Sequence, residues 1–418
     1  MIPDLTPNKK DTPLGKRLTV RSRISLVGLR SGAAVFTIVL LMATLGRHVY
    51  GSSRTVSAIV AGDIHTCALL SDGTVKCWGQ GSLGRLGSGA TADSPIPVTV
   101  TGISSATAIA AGGAHTCAVL SGGTVRCWGD NEVGQLGNGT QGEYSAAPVK
   151  VIGVSNATAI GVGLIHTCAL TVDGEIKCWG TNQNGLLGVG IIGGIVPTPV
   201  TVQGISHAIA IAVGGGHNCA LNSDGTVKCW GRLKYVNANE KERPEDSSTP
   251  FAVPGLSKAI AISAGSRHTC ALISDGTVKC WGRNDYGQLG NGTTTHSLIP
   301  VAVIGISNAK AVATGSVHTC ALISDGTVKC WGIKGHGILG NTTNEGPQAC
   351  GNSPCSTTPV VVNGISTAAA ISAGKEHTCA LLLNGVVKCW GWNKYGQLGN
   401  VCRTESCPNP VEVAKLLE

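Results

Sequence analysis

The sequence predicts an all-β fold, a seven-bladed β-propeller, on three observations: a sentence of residues repeated seven times, four short β-rich segments in each copy, and turn residues between the segments. The repeated sentence is His-Thr-Cys-Ala-Leu, a Gly turn, then Lys-Cys-Trp-Gly. Its copies start at His65, His115, His166, His217, His268, His318 and His377, with Asn218 the one change in the His-Thr-Cys triplet. The step is 50 or 51 residues until a last step of 59. A fixed period of this size marks a repeat architecture, in which each copy buries its apolar surface against its neighbours.

One copy justifies the blade. It reads Val98-Thr-Val-Thr-Gly-Ile, Thr107-Ala-Ile-Ala, His115-Thr-Cys-Ala-Val-Leu and Thr124-Val-Arg-Cys-Trp. These are four strand-like runs separated by Gly and Ser, the content of a four-stranded antiparallel blade. The 60 Gly and the 17 Pro, most of them between copies, agree with many short strands joined by turns. The ends of the chain predict how the ring closes. Ahead of His65 the first copy has Ala58-Ile59-Val60 but no Pro-Val-x-Val strand, while Asn409-Pro-Val-Glu-Val413 has no copy after it. A blade mixing both termini, closed by residues 409–413, is expected to clasp a propeller spanning 55–418.

Residues 1–50 form a separate segment. They hold eight basic side chains (Lys9, Lys10, Lys16, Arg17, Arg21, Arg23, Arg30, Arg47) against Asp4 and Asp11, a balance of +6 out of the total +8. The +2 left for the rest is too small for the broad basic footprint of phosphate-backbone binding, so no nucleic-acid partner is expected. The basic stretch precedes an apolar run from 32 to 46, as in a signal peptide or a membrane-anchor helix. Positive charge ahead of that run keeps the N-terminus cytosolic and sends the repeats across. The expected location is therefore extracellular or periplasmic, tethered to the membrane if the segment is uncleaved.

Cys280-Trp-Gly-Arg-Asn-Asp-Tyr-Gly-Gln-Leu-Gly-Asn-Gly292, with His-Thr-Cys-Ala-Leu and Ser-Asp-Gly-Thr-Val, resembles the repeat of the regulator of chromosome condensation family. The resemblance covers about residues 55–413 and implies a seven-bladed propeller with mixed-blade closure. It implies less about activity, since one fold hosts many functions. A eukaryotic family member is a guanine nucleotide exchange factor that binds chromatin, and a secreted one inhibits a beta-lactamase.

Fourteen of the 18 Cys are paired within copies: Cys67 with Cys77, Cys117 with Cys127, Cys168 with Cys178, Cys219 with Cys229, Cys270 with Cys280, Cys320 with Cys330, and Cys379 with Cys389. Counting back from Leu70 and Thr74, which close the Ser71-Asp72-Gly73 turn, puts Cys67 across from Cys77 on a non-hydrogen-bonded rung, where side chains approach most closely. Seven disulfides are expected. The other four Cys form two pairs, Cys350 with Cys355 and Cys402 with Cys407. Local bridges are the reading preferred to one zinc site, because no His flanks them.

The seven His and the seven Trp of Cys-Trp-Gly occupy equivalent places, whereas catalysis needs different groups converging on one point. The His are read as structural donors to backbone and the Trp as packing between blades. Phosphate loops, calcium loops and nucleophile elbows are missing from the sequence. No catalytic residue, metal or cofactor is expected, and the chain is read as a non-enzyme.

Function is sought where the copies differ. The two residues before each His vary and are expected to line a rim around the axis; Asp63, Arg267, Lys375 and Glu376 are its charged members. A plant member of the family senses ultraviolet-B light with Trp in the corresponding motif, and none of the fourteen rim residues here is Trp. The fourth copy departs most. In place of Gly-x-Asn-x-x-Gly-Gln-Leu-Gly it has a charged stretch over 232–246 that includes Arg232, Lys234, Tyr235, Lys241 and Arg243. Loops on a rigid frame are where partners are met, so these nine residues are the candidates for binding a protein partner. The reading is an exported or membrane-tethered scaffold for protein–protein interaction. Its alternatives are a lyase or hydrolase with an axial site, or an exchange-type regulator.

Overall fold

The structure is a computed structural model, and it describes residues 54–232, 246–341, 348–400 and 404–418. The expected signal or anchor segment at 1–50 lies outside them. Among the described residues no helix is long and apolar enough to cross a membrane, and the helical turns are three-residue 3-10 turns.

Blade one is β1 (Val56–Ala61), β2 (His65–Leu70), β3 (Val75–Gly79) and β4 (Ser94–Thr99), hydrogen-bonded in that order. Its strands are antiparallel because each connection is a turn or loop that sends the chain straight back. Six further sheets repeat the pattern, and the sixth gains an outer strand, Gln348–Cys350, beside Ser353–Val361. First strands pack against first strands from blade to blade, and β1 meets the first strand of blade seven, Ala368–Ala373, which closes the ring. First strands therefore surround the axis and fourth strands form the outer edges. Those edges carry proline, for example Pro95 and Pro97 in β4 and Pro148 in Ser145–Lys150, which denies a foreign strand part of its ladder.

The frame of the repeat differs from the expectation, and no mixed blade forms. After Cys77-Trp-Gly the chain loops over and returns as the proline strand of the same sheet, with Cys77 opposite Val98. At the far end Ser406–Glu412 pairs in the same way with Val387–Trp392, Cys389 opposite Val411. Both termini thus stay within their own blades, because antiparallel pairing with the preceding strand leaves none over.

The joint between blades seven and one is made by the last residues. Val413 and Leu416 are buried with Val56, Ile59, Leu70 and Trp78. They take the places that Val100 and Ile103, in the linker between blades one and two, take against Ile109 and Trp128. Lys415 has φ +53° where the linker has Gly102 at +65°. The Lys76 ammonium donates to the Glu418 carbonyl, as Lys228 donates to the Gly204 carbonyl of a continuous linker at 3.0 Å.

All seven hairpin cystines are present, with Cα atoms 4.0–4.1 Å apart. Cys67 faces Cys77 three rungs from the Leu70 N–H to Thr74 carbonyl bond, as the register count requires. Cys350 is joined to Cys355. Cys407 is also disulfide-bonded, and Cys402, its expected partner, lies outside the described residues. The Trp indoles pack between blades: Trp78 lies among Cys379, Leu381 and Leu398 of blade seven, and its Nε1 donates to the Gln397 carbonyl at 3.0 Å.

Candidate interaction face

Antiparallel pairing puts the turns between first and second strands on one face with the long loops between third and fourth strands. We call this the upper face. Hairpin turns such as 71–74 and the linkers between blades lie on the lower face.

Beneath the upper face runs a closed circuit of side chains. His65 Nε2 meets Thr116 Oγ1 at 2.8 Å, His115 meets Thr167, His166 meets Asn218 Oδ1, His217 meets Thr269, His268 meets Thr319, His318 meets Thr378, and His377 returns to Thr66. The hydroxyls fix the direction. Thr66, Thr116 and Thr167 each donate to a main-chain carbonyl (Gln397, Arg85 and Gln135), so they accept from the imidazoles, which carry the proton on Nε2. These histidines therefore donate to side chains of the next blade, where donation to backbone was expected. Asn218 serves in place of Thr because its oxygen accepts from His166 while its amide donates to the Leu186 carbonyl. Burial pushes the imidazoles down, to about 3 for His115, His268, His318 and His377 and about 4 for His166 and His217. They are neutral structural groups.

Three residues ahead of each His stands a glycine, and these seven ring the axis. A Cβ on Gly62 would come within 2.6 Å of its own His65 ring and 2.7 Å of the Gly112 carbonyl in the next blade. Only a residue without a side chain lets neighbouring blades approach this closely. The next N–H in the chain then crosses the joint: Asp63 N–H donates to the Gly112 carbonyl at 2.9 Å and Lys375 N–H to the Gly62 carbonyl at 3.3 Å. The mouth of the axis, lined by Asp63, Leu164, Ser266 and Ser316 among others, encloses about 80 Å³. Pockets for organic ligands usually hold about 300–1,000 Å³. Among the described residues no group of His, Cys, Asp and Glu could hold a metal ion.

The structure divides the candidate residues between two sides of this rim. Asp63, Lys375 and Glu376 meet at the joint of blades seven and one. Burial raises the Asp63 carboxyl, and the Lys375 and Arg85 charges oppose that rise. Arg232 and Arg267 stand across the ring in blades four and five; Arg283 N–H donates to the Arg267 carbonyl at 2.9 Å. Lys234, Tyr235, Lys241 and Arg243 lie outside the described residues.

Two features escaped the sequence reading. Arg85 fills the place of Gln135, Gln288 and Gln397 in other copies, and its guanidinium spans to the Gly113 carbonyl at 3.0 Å. Aligning the copies on Gly-x-Leu-Gly would have revealed it. Beside Glu376 is an aromatic group: Trp392 and Tyr395 rings stand edge to face with centroids 5.6 Å apart, Lys394 lies 5.9 Å from the Tyr395 ring, and His336 Nε2 is 3.6 Å from the Glu376 carboxylate. Trp392 was visible as the one described Trp outside the repeat, but its neighbours come from two blades.

An RCC1-like domain model matches residues 147–418, and models of the regulator of chromosome condensation (RCC1) repeat match 56–85, 106–135, 72–119 and 122–170. The ultraviolet-B receptor UVR8 of Arabidopsis thaliana is 33% identical over 368 residues, 86% of this chain and 70% of that protein. A probable E3 ubiquitin-protein ligase, HERC4 of Rattus norvegicus, is 37% identical over 252 residues, which are 59% of this chain and only 24% of HERC4. Among solved structures, Prp20p from Saccharomyces cerevisiae, described with its binding to Gsp1p and histones, superposes with a TM-score of 0.70 at 23% identity, covering 87% of this chain and 88% of that one. With repeat, blade and ring all in agreement, the chain belongs to the regulator of chromosome condensation (RCC1) repeat family.

Proposed function

We propose that the chain is an exported or membrane-tethered scaffold that holds a protein partner on its upper face and performs no catalysis itself. One observation carries this reading: the repeated residues are consumed in the joints, while the residues that differ between copies surface together on the upper rim and its loops. A frame braced by seven cystines and seven His bonds presents those residues with little loss of freedom on binding. Trp392 and Tyr395, with Lys394 beside the Tyr395 ring, supply two of the residue types in which interface hot spots are enriched. The family relationship supports an interaction scaffold or regulator, and the small axial cavity gives an organic substrate little room.

The test is capture of partners by the whole chain, followed by two variants. One carries Arg-Asn-Asp-Tyr-Gly-Gln-Leu-Gly-Asn-Gly of the fifth copy in place of 232–246, and the other carries Trp392→Ala with Tyr395→Ala. Loss of a captured protein in either variant, with unchanged thermal unfolding, supports the upper face and locates the contact. Retention in both rejects it. Activity towards hydrolase or lyase substrates that disappears when Asp63, Arg267, Lys375 and Glu376 are changed together would replace the scaffold by an enzyme.

A further inference from the structure

Two neighbouring loops of the upper face share a backbone and differ at the tip. The blade-two loop runs from Asn131 to Tyr144 and the blade-three loop from Asn182 to Ile195. Asn131 Nδ2 donates to the Thr140 carbonyl at 3.1 Å, and Asn182 Nδ2 donates to the Ile191 carbonyl at 3.0 Å. The Gly142 N–H returns to the Asn131 carbonyl, and the Gly193 N–H to the Asn182 carbonyl, both at 2.9 Å. Blade five builds the same turn, with Asn284 Nδ2 donating to the Thr293 carbonyl at 2.9 Å. At the tip blade two has Asn138-Gly-Thr-Gln141 and blade five has Asn291-Gly-Thr-Thr294, but blade three has Val189-Gly-Ile-Ile192. The turn therefore does not need isoleucine, and it leaves the side chains in solvent: Ile191 is 65%, Ile192 59% and Ile195 43% exposed.

The surroundings of these isoleucines carry no charge. Residues 178–223 contain no Asp, Glu, Lys or Arg. The rim from blade two to blade four, Gly113-Ala114, Leu164-Ile165 and Gly215-Gly216, has no polar side chain, whereas the rest of the rim holds Asp63, Ser266, Arg267, Ser316, Lys375 and Glu376. Single exposed apolar residues are ordinary on a protein surface; several gathered in an uncharged sector mark a place of contact.

The loop next door indicates what covers the patch. The Gly139 N–H donates to the Pro197 carbonyl at 3.0 Å, which seats the blade-two loop on the blade-three strand Ile195–Thr201. That loop bears Asp130, Glu132 and Glu143, both glutamates exposed, and among the described residues none of the three is in an ion pair. Arg85, a cation within range of Asp130, is buried, and its guanidinium donates to the Ser82 and Gly113 carbonyls and the Ser82 hydroxyl. Arg232 stands on the other side, in blade four, so the cations of an occupant are steered towards blade two. A surface buried here must bring aliphatic side chains to the centre and positive charge to the acidic flank.

We propose that the upper surface of blade three is a docking site for a basic amphipathic segment of a protein partner, with its aliphatic side chains on Ile191, Ile192 and Ile195 and its Lys or Arg over Glu132 and Glu143. The site rests on the scaffold reading for its face but is separate from the Trp392 group of blade seven, and the test keeps the two apart. The probe is a labelled peptide with leucines at helical i, i+3, i+4 and i+7 spacing and lysines between them, titrated with the whole chain and followed by fluorescence anisotropy. Saturable binding is expected, and it should be at least about tenfold weaker when glutamates replace the lysines or serines the leucines. Ile191→Thr with Ile192→Gln, the residues blade two carries in the same turn, should weaken binding about tenfold or more with thermal unfolding unchanged. Glu132→Lys with Glu143→Lys should weaken it and flatten its salt dependence. Trp392→Ala with Tyr395→Ala should leave it unchanged, so a captured partner that needs those two rings upholds the scaffold reading whatever this site does. Equal binding of the glutamate peptide, or no loss in the isoleucine variant, overturns the proposal. So does self-association that the isoleucine variant abolishes, which gives the patch to a second copy, and so does binding to phosphatidylcholine vesicles lost in that variant, which gives it to lipid.

Discussion

Six joints of the ring are crossed by a linker of the chain, and the seventh, between the last blade and the first, is not. Between blades one and two, Val100 and Ile103 enter the groove because the linker carries them there; between blades seven and one, Val413 and Leu416, after the last strand, fill the corresponding groove with no linker running on to blade one. Both joints have the His bond, the Trp bond to a carbonyl and the glycine contact. A propeller is thus closed by its contacts, and the peptide linker adds only the entropic benefit of holding those contacts together. The seventh joint must supply that benefit from binding alone, so it is where the ring is expected to open first.

The largest test is acid. The ring imidazoles titrate well below their ordinary value when folded, so the unfolded chain takes up protons that the folded one refuses. Stability is whole above about pH 6.5 and falls as pH drops towards 4, by up to about 1.4 kcal/mol per pH unit for each histidine. Circular dichroism against pH should show steep unfolding near pH 5. Hydrogen exchange just above that point should show amides of β1 and β2 released before those of blades three and four.

Truncation is next. Removing residues 413–418 should cost about 4 kcal/mol or more in denaturant unfolding, since it empties two apolar sites and removes the Lys76 partner. Less than 1 kcal/mol lost would mean that the seventh joint holds without its hook. Leu416→Ala should cost about 2–4 kcal/mol, and Leu256→Ala, at the same place in a continuous linker, should cost a similar amount at equilibrium. The pair should part in rate: the Leu416 variant should unfold faster. Smallest is Asn218→Thr, which restores the repeated residue and should change stability by less than about 1 kcal/mol, whereas Asn218→Val strands the His166 donor and should cost about 1–3 kcal/mol.

Much of this was legible in the residues. Blade count follows from the seven copies, and hairpin register and the seven cystines from spacings of ten residues, since a two-stranded ladder is a local object. The frame of the repeat was not, because a periodic string reads equally well from any of its four strands. The proline strand looked like a beginning, and only its pairing of Val98 with Cys77 shows that it ends a blade. The partners of the histidines were hidden for a related reason: His65 and Thr116 are 51 residues apart, and nothing local in the chain links them. On the upper face the variable positions could be named, but not which of them meet, since His336 of blade six reaches Glu376 and Trp392 of blade seven across the joint.

The hairpin cystines have a consequence for how the protein matures. Fourteen cysteines in seven near-identical hairpins would ordinarily invite scrambled pairings, with slow correction by exchange. Here each described hairpin partner lies ten residues away across one tight turn, so the correct thiol is the first to arrive, whereas the nearest cysteine of a neighbouring hairpin lies 40–49 residues away. Oxidation can proceed hairpin by hairpin as the chain emerges, ahead of the ring and independent of it. A stalled or truncated chain would still carry correctly oxidised blades, and quality control would have to sense the open ring instead of free thiols.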